Sequence, residues 1–340
     1  MRAAFLVAPG TIELRDVPIP VPEPGGLVVR VRAALTDGTD VKAYRRGHPQ
    51  MPFPTPFGHE FSGDVAAIGD GVRDFAPGDA VMCVHSSPCG DCRWCLGGQE
   101  ELCSSVMNTK ILGAYADYIA VPARIVAVNC FRKPAHLTYE QAAFLEPLAC
   151  VVHSIETLRL APGSHVAILG DGGFGLLHAL VARAYGWEPI LVGRRDERLA
   201  LARDLGLAHV VDARSGDPSA YLAALTNGDG ADAAVECTGT VAAWEYAPSL
   251  VRRGGTVSFF GGLPADTTVS FSAARLHYDE LRLISPFHFG RAAVRRAYEL
   301  LCAGALPVTR LISGRMPLPE IARAFELLDR GFGVKIAIEP

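Results

Sequence analysis

From His165 onward the sequence alternates short apolar runs with helical stretches. HVAILG reads as a strand, FGLLHALVARAYG as a helix, PILVG as the next strand and DERLALARDLG as the next helix. HVVDA, a helix around YLAALT, AAVECTG, a helix through WEYAPSLV, and TVSFFGG continue the rhythm. Strands separated by helices pair through crossovers, so the pattern predicts a doubly wound parallel sheet over residues 151–290. The junction ILGDGGFG places Gly170, Gly172 and Gly175 in a G-x-G-x-x-G spacing directly after a strand and at the start of a helix. Glycines there permit a tight turn, backbone approach to a pyrophosphate and close helix packing, with the helix N-terminus facing the phosphates. Gly170, Gly172, Gly173, Phe174 and Gly175 are therefore the expected dinucleotide-binding turn.

The tip of the next strand carries the second signal. An acid there would bind the ribose 2′-hydroxyl of NAD. This chain reads PILVGRRDE, with Gly193 at the tip and Arg194 and Arg195 after it. A glycine removes the repulsion against a 2′-phosphate, and two guanidiniums can grip one. NADP is favoured over NAD, although a surface pair of arginines, or Asp196 on the ribose, remains open.

Residues 1–150 have a different texture. Short apolar runs are cut by Pro and Gly, as in VPIPVPEPGG, LVVRVRAAL and FAPGDAVMCV, which reads as a β-rich, barrel-like domain. Two domains suit a chain of 340 residues. The net charge of -4 and the lack of a polybasic run argue against nucleic acid as a partner. No apolar stretch is long enough for a membrane span, and the start MRAAFLVAPGTIELRD turns polar too early for a signal peptide. A cytoplasmic enzyme acting on a small molecule, as a homodimer or homotetramer, is the expectation.

Four of the nine cysteines cluster, as Cys89, Cys92, Cys95 and Cys103 in CGDCRWCLGGQEELC. The C-x2-C-x2-C-x7-C spacing in a Gly-rich loop suits a tetrahedral zinc site, and four thiolates leave no open position, so such a metal is structural. Unlinked thiols or an iron–sulfur cluster are the alternatives. Cys83, Cys130, Cys150, Cys237 and Cys302 are scattered and read as small buried hydrophobes.

With these pieces in order, the chain resembles a zinc-containing medium-chain dehydrogenase/reductase of the alcohol, polyol and sugar kind. The likeness runs through PGDAV, the four-cysteine lobe (about 84–104), GHEFSG, FLEPLA, the Gly-rich turn, VECTG and GGTVSFFG. It implies a GroES-like catalytic domain over 1–150, completed by 291–340, beside a Rossmann domain, with the active site in the cleft. VECTG brings Cys237 and Thr238 in as cofactor-binding residues.

The resemblance also implies the catalytic set. Members usually read C-G-[ST]-D-x-H where this chain has Asp37, Gly38, Thr39, Asp40, Val41 and Lys42. Asp replaces the catalytic Cys, and Lys42 replaces a frequent His. Some halophilic glucose dehydrogenases resemble the chain in both DGTD and a GRR turn. A carboxylate is a legitimate zinc ligand with a reach close to that of Cys, so Asp37, His59 and Glu146, with Glu60 exchanging or supporting, remain a workable catalytic zinc set. Without a cation these carboxylates would repel one another. The expected reaction is hydride exchange between NADP and a secondary alcohol of a sugar, polyol or cyclitol. Thr39 would relay the proton, and Lys42 would meet substrate from a basic cluster with Arg45 and Arg46. A zinc-free NADPH-dependent quinone or enone reductase and a non-catalytic NADP-binding sensor are the rival readings.

Overall fold

A computed structural model describes residues 1–340. The chain forms two compact units, Met1–Ala149 with Phe289–Pro340, and Cys150–His288. No helix is long and apolar enough to cross a membrane.

The first unit is built on a seven-stranded sheet. Its order is Ile312–Pro317, Lys335–Glu339, Leu27–Leu35, Glu60–Ile68, Ala80–Cys83 and Cys130–Arg132, with Tyr118–Val121 also paired to Leu27–Leu35. Leu27–Leu35 alternates only around Arg30 and Arg32 and is buried at both ends. That is the pattern of a central strand covered on both faces. The C-terminal strand adds to it antiparallel, setting Ala337 opposite Leu35. The C-terminal strand is thus brought beside the segment that leads into Asp37. A second, three-stranded sheet holds Thr11–Asp16, Arg2–Ala8 and Thr55–Pro56.

Through Phe325, helix Ile321–Asp329 packs against the segment that follows Asp37. Phe325 meets Tyr44, Phe57 and Tyr115 with ring centroids 5.6, 4.9 and 5.8 Å away. Tyr44 lies in helix Gly38–Arg46, so this aromatic cluster fixes the helix that follows Asp37. Strand Ile312–Pro317 was not expected from the sequence. Its burial pattern is only partial, and it exists through parallel pairing with Lys335–Glu339.

The second unit is a six-stranded parallel sheet in the order His209–Asp212, Glu188–Gly193, His165–Leu169, Ala231–Glu236, Val251–Phe259, Arg282–Ile284. This is the doubly wound 3-2-1-4-5-6 order, and its switch point lies between His165–Leu169 and Ala231–Glu236. Val166, Ala167 and Ile168 are wholly buried, as parallel central strands require. One expected helix is shorter than read. Val241–Tyr246 is helical, Ala247–Leu250 tightens to a 3-10 turn, and Val251 already begins a strand. Pro248 has no N–H for an α-helical bond, which ends the α-helix there.

Candidate active site

The antiparallel register builds the first site. Leu35 pairs with Glu60, so Asp37 and His59 are one or two residues from a shared rung. Phe61 pairs with Cys83, and continuing that register brings His85 across from His59, with ring centroids 5.1 Å apart. Glu146 enters on helix Leu145–Leu158. Asp37, Asp40, His59, Glu60, His85, Glu146 and Lys335 are all buried.

Within this cluster His59 Nε2 lies 3.8 Å from Asp37 Oδ1 and 4.0 Å from Glu146 Oε2. A tetrahedral zinc with bonds of about 2.1 Å separates its ligand atoms by about 3.4 Å, so each of these two His59 pairs is close to the spacing that one ion requires. Asp37, His59 and Glu60 each offer a ligand atom within 4.8 Å of the others. His59 Nδ1 is 3.1 Å from Asp40 Oδ1, which leaves Nε2 as the nitrogen that faces Asp37 and Glu146. Tyr115 braces Asp40 by donating to Oδ2 at 2.6 Å. The glycine of GHE is needed for this: Gly58 has φ +89°, and a Cβ there would come within 2.7 Å of the Tyr115 ring.

Three members of the arrangement were missed by sequence reasoning. His85 Nδ1 stands 3.2 Å from Glu146 Oε1, so one carboxylate oxygen faces His85 and the other faces the centre. Lys335 Nζ is 2.7 Å from both oxygens of Glu60, 2.9 Å from Thr36 O and 3.9 Å from Asp37 Oδ2. Tyr115 is the third. None of them sits in a local motif; each arrives by strand pairing or packing.

The electrostatics follow from crowding. Four carboxylates (Asp37, Asp40, Glu60, Glu146) share a buried space with one ammonium. Burial lowers the His59 pKa, but Asp40, then Glu146 and Asp37, drive it well above its ordinary value. Burial pushes Glu60 up, as do Asp37 and Glu146, while Lys335 pulls it down. The two short contacts identify Glu60 and Lys335 as an ion pair. Lys335, despite burial, is held charged by Glu60 and Asp37. Lys335 and a protonated His59 therefore answer part of the expected carboxylate repulsion, and an excess of negative charge remains.

Asp37 has a further task. It is the N-cap of helix Gly38–Arg46, with Oδ1 accepting the Thr39 N–H at 2.7 Å. Thr39 and Lys42 follow on that helix, and the Thr39 N–H reaches Asp37. Arg45 is not available to substrate in this arrangement, because it is paired to Asp329.

The cysteine lobe matches its expected geometry. Sγ–Sγ distances are 3.5 Å for Cys103–Cys89, 3.6 Å for Cys92–Cys95 and 3.8 Å for Cys89–Cys95. Zinc–thiolate bonds of about 2.3 Å in a tetrahedron give about 3.8 Å. Backbone N–H groups near Cys95 and Ser104 bring the Cys92 thiol down to about 5. Cys83 and Cys130 face each other across paired strands and are buried.

In the second unit, the Gly-rich turn and the turn after Ala231–Glu236 lie side by side at the switch point. The Cys237 N–H donates to Leu169 O at 2.9 Å. A Cβ on Gly175 would come within 1.8 Å of Gly170 O, so only glycine allows helix Gly173–Ala184 to start there. Glu236, also missed, accepts from the Thr238 and Gly239 N–H groups at 2.6 and 3.0 Å and shapes that turn. Phe174 packs on Phe260. Cys237 lies 3.6 Å from His178 Nδ1, and burial pushes its thiol well up, so it packs rather than reacts. Asp196 is exposed and pairs with Arg214.

Comparison with known proteins fits this geometry. Residues 23–130 match the alcohol dehydrogenase GroES-like domain, and residues 173–302 match the zinc-binding dehydrogenase family. An L-threonine 3-dehydrogenase of Bacillus velezensis is 32% identical over 96% of this chain and 95% of its own. A sorbitol dehydrogenase of Bacillus subtilis is 29% identical over 96% and 93%. A crystal structure of a protein described as a zinc-binding dehydrogenase, from Sinorhizobium meliloti 1021 and bound to NADP, is 33% identical, with a TM-score of 0.90 over 100% of this chain and 99% of that one.

Proposed function

The chain belongs to the zinc-binding medium-chain dehydrogenase/reductase family, and from that premise we propose that it exchanges hydride between NADP(H) and a secondary alcohol of a polyhydroxylated substrate. The observation that carries this reading is the buried cluster of Asp37, His59, Glu60 and Glu146, in which each member has a partner that orients it. Asp37, His59 and Glu146 would hold a catalytic zinc, with Glu60 in reserve. When bound, the ion supplies Lewis-acid polarisation of the alcohol or carbonyl oxygen.

The remaining roles belong to the chain. Asp40 fixes His59 so that Nε2 faces the centre. Lys335 holds both Glu60 oxygens and keeps that carboxylate back. Thr39 carries the hydroxyl proton away, and the half-buried Lys42 meets a substrate hydroxyl. In the second unit, the Gly170–Gly175 turn takes the pyrophosphate, with Cys237 and Thr238 beside it and Arg194 and Arg195 on the 2′-phosphate. The NADP held by the Sinorhizobium meliloti relative favours that cofactor. Sorbitol and threonine, named for the two Bacillus relatives, each carry a secondary alcohol beside another polar group. Of the two, the sorbitol name is the one that favours a sugar, polyol or cyclitol.

The zinc-free quinone or enone reductase gains one argument, since Lys335 is itself a buried cation beside Glu60. Lys335 and a protonated His59 together still leave the four carboxylates in excess, and an enone site needs none of those acids. The deciding experiment pairs cation content with turnover on the same purified sample, using a panel of sugars, polyols and cyclitols with NADP, and quinones and enones with NADPH. Two cations per chain and NADP reduction by a panel member are expected. One cation, with turnover only on a quinone or enone, would make the rival correct.

A further inference from the structure

Gly193 ends the second strand of the parallel sheet and is buried. A Cβ there would lie 2.6 Å from both Cβ and Oδ2 of Asp171, and 2.8 Å from Leu199 Cδ2. The strand tip has no room for an acid because an acid from the Gly-rich turn already fills the place. Asp171 is only 8% exposed. Its Oδ2 accepts the backbone N–H of Arg194 at 2.7 Å and of Arg195 at 2.8 Å. Its Oδ1 lies 3.9 Å from Arg198 Nη1.

We propose that Asp171 is a positioning residue that sets cofactor choice: it ties the pyrophosphate turn to the backbone of the two arginines. The idea rests on the NADP reading above and names the residue that makes it work. Both bonds are carboxylate-to-amide, the stronger kind of hydrogen bond. They fix residues 194 and 195 just before helix Asp196–Asp204, whose N-cap, Arg195, makes no side-chain cap bond. Asp171 is the acceptor for both N–H groups, and its loss would loosen the backbone that carries the two exposed arginine side chains. The other role open to a carboxylate here is to accept from the ribose hydroxyls, as the tip acid of an NAD enzyme does. Two N–H donors already occupy Oδ2 and a guanidinium faces Oδ1, so the carboxylate is committed to the protein. The two roles predict opposite signs: support for the arginines favours NADP, and a ribose contact favours NAD.

The test is direct binding of NADPH and NADH to the full metal-loaded chain, followed by nucleotide fluorescence, for wild type, Asp171→Ala, Asp171→Asn, Arg194→Ala and the Asp171→Ala/Arg194→Ala double variant. Wild type should bind NADPH more tightly. Asp171→Ala should raise the Kd for NADPH about tenfold and that for NADH less than about threefold, with Asp171→Asn between. The double variant should lose less than the sum of the single losses, because each residue acts through the other. Equal losses for both nucleotides, or a larger loss for NADH, would overturn the proposal. So would strict additivity. A wild type that prefers NADH would overturn the NADP reading itself, and that is seen before any variant is made.

Discussion

Lys335 Nζ lies 2.7 Å from each oxygen of Glu60, although the two residues are 275 positions apart. Strand Lys335–Glu339 brings them together, and the pair lies wholly inside the first unit. Removing one partner of a buried pair leaves the other charge without compensation, at about 3–5 kcal/mol. Lys335→Met should cost that much in denaturant unfolding. Glu60→Gln with Lys335→Met should recover most of it, since both charges then go together. A single variant as stable as wild type would show that the pair contributes nothing.

A metal held by the four cysteines of the lobe would contribute stability rather than chemistry. Cys92→Ser should release one cation per chain and lower the thermal midpoint, because a closed site contributes to folding. Cation analysis and a melting curve on the same sample check both halves. Retained cation with an unchanged midpoint would exclude a metal in the lobe.

His178 gives the second unit an acid-sensitive term. It is wholly buried, and burial takes its pKa from 6.5 to about 4. Nδ1 is 2.7 Å from Phe174 O, and Nε2 has no partner. The folded state thus refuses a proton that the unfolded chain accepts. For a histidine lowered in this way, stability is complete above the unfolded value near 6.5 and is lost as pH falls toward about 4. The difference between wild type and His178→Leu in unfolding free energy should change by about 3 kcal/mol across that window. A pH-independent difference would mean that His178 ionises freely in the fold.

What the sequence revealed was local in origin. The glycine spacing, the four cysteines and the alternation of strand and helix each lie within a few tens of residues, and each carries its own geometry. GHE and DGTD were legible through the same kind of short motif. Lys335, His85 and Asp171 were not. Lys335 depends on Ala337 pairing with Leu35, and His85 depends on Cys83 pairing with Phe61. Asp171 depends on a turn folding against the tip of a neighbouring strand. Pairing partners far apart in sequence leave no periodic trace, so the residues that orient the site were hidden while those that define its motifs were plain. The strand Ile312–Pro317 was missed for the same reason.

Asp37 separates two explanations of the unusual DGTD motif. Its Oδ1 caps helix Gly38–Arg46 through the Thr39 N–H at 2.7 Å and also lies 3.8 Å from His59 Nε2. A helix cap alone would explain an aspartate, and so would a metal ligand. Asp37→Asn distinguishes them, because Asn caps as well as Asp but is a neutral and far weaker partner for a divalent ion. It should fold with a stability within about 0.5 kcal/mol of wild type, yet lose one cation per chain and nearly all alcohol oxidation. Asp37→Cys inverts the trade: the thiolate ligand returns and the cap is lost, at about 1 kcal/mol. That variant should keep both cations and part of the turnover, with preference moved toward zinc because thiolate is softer. Asp37→Ala should lose the cap and the cation together, and His59→Ala the cation alone. If Asp37→Asn kept two cations and normal turnover, the carboxylate would be a helix cap only, and the catalytic ion would rest on His59, Glu60 and Glu146.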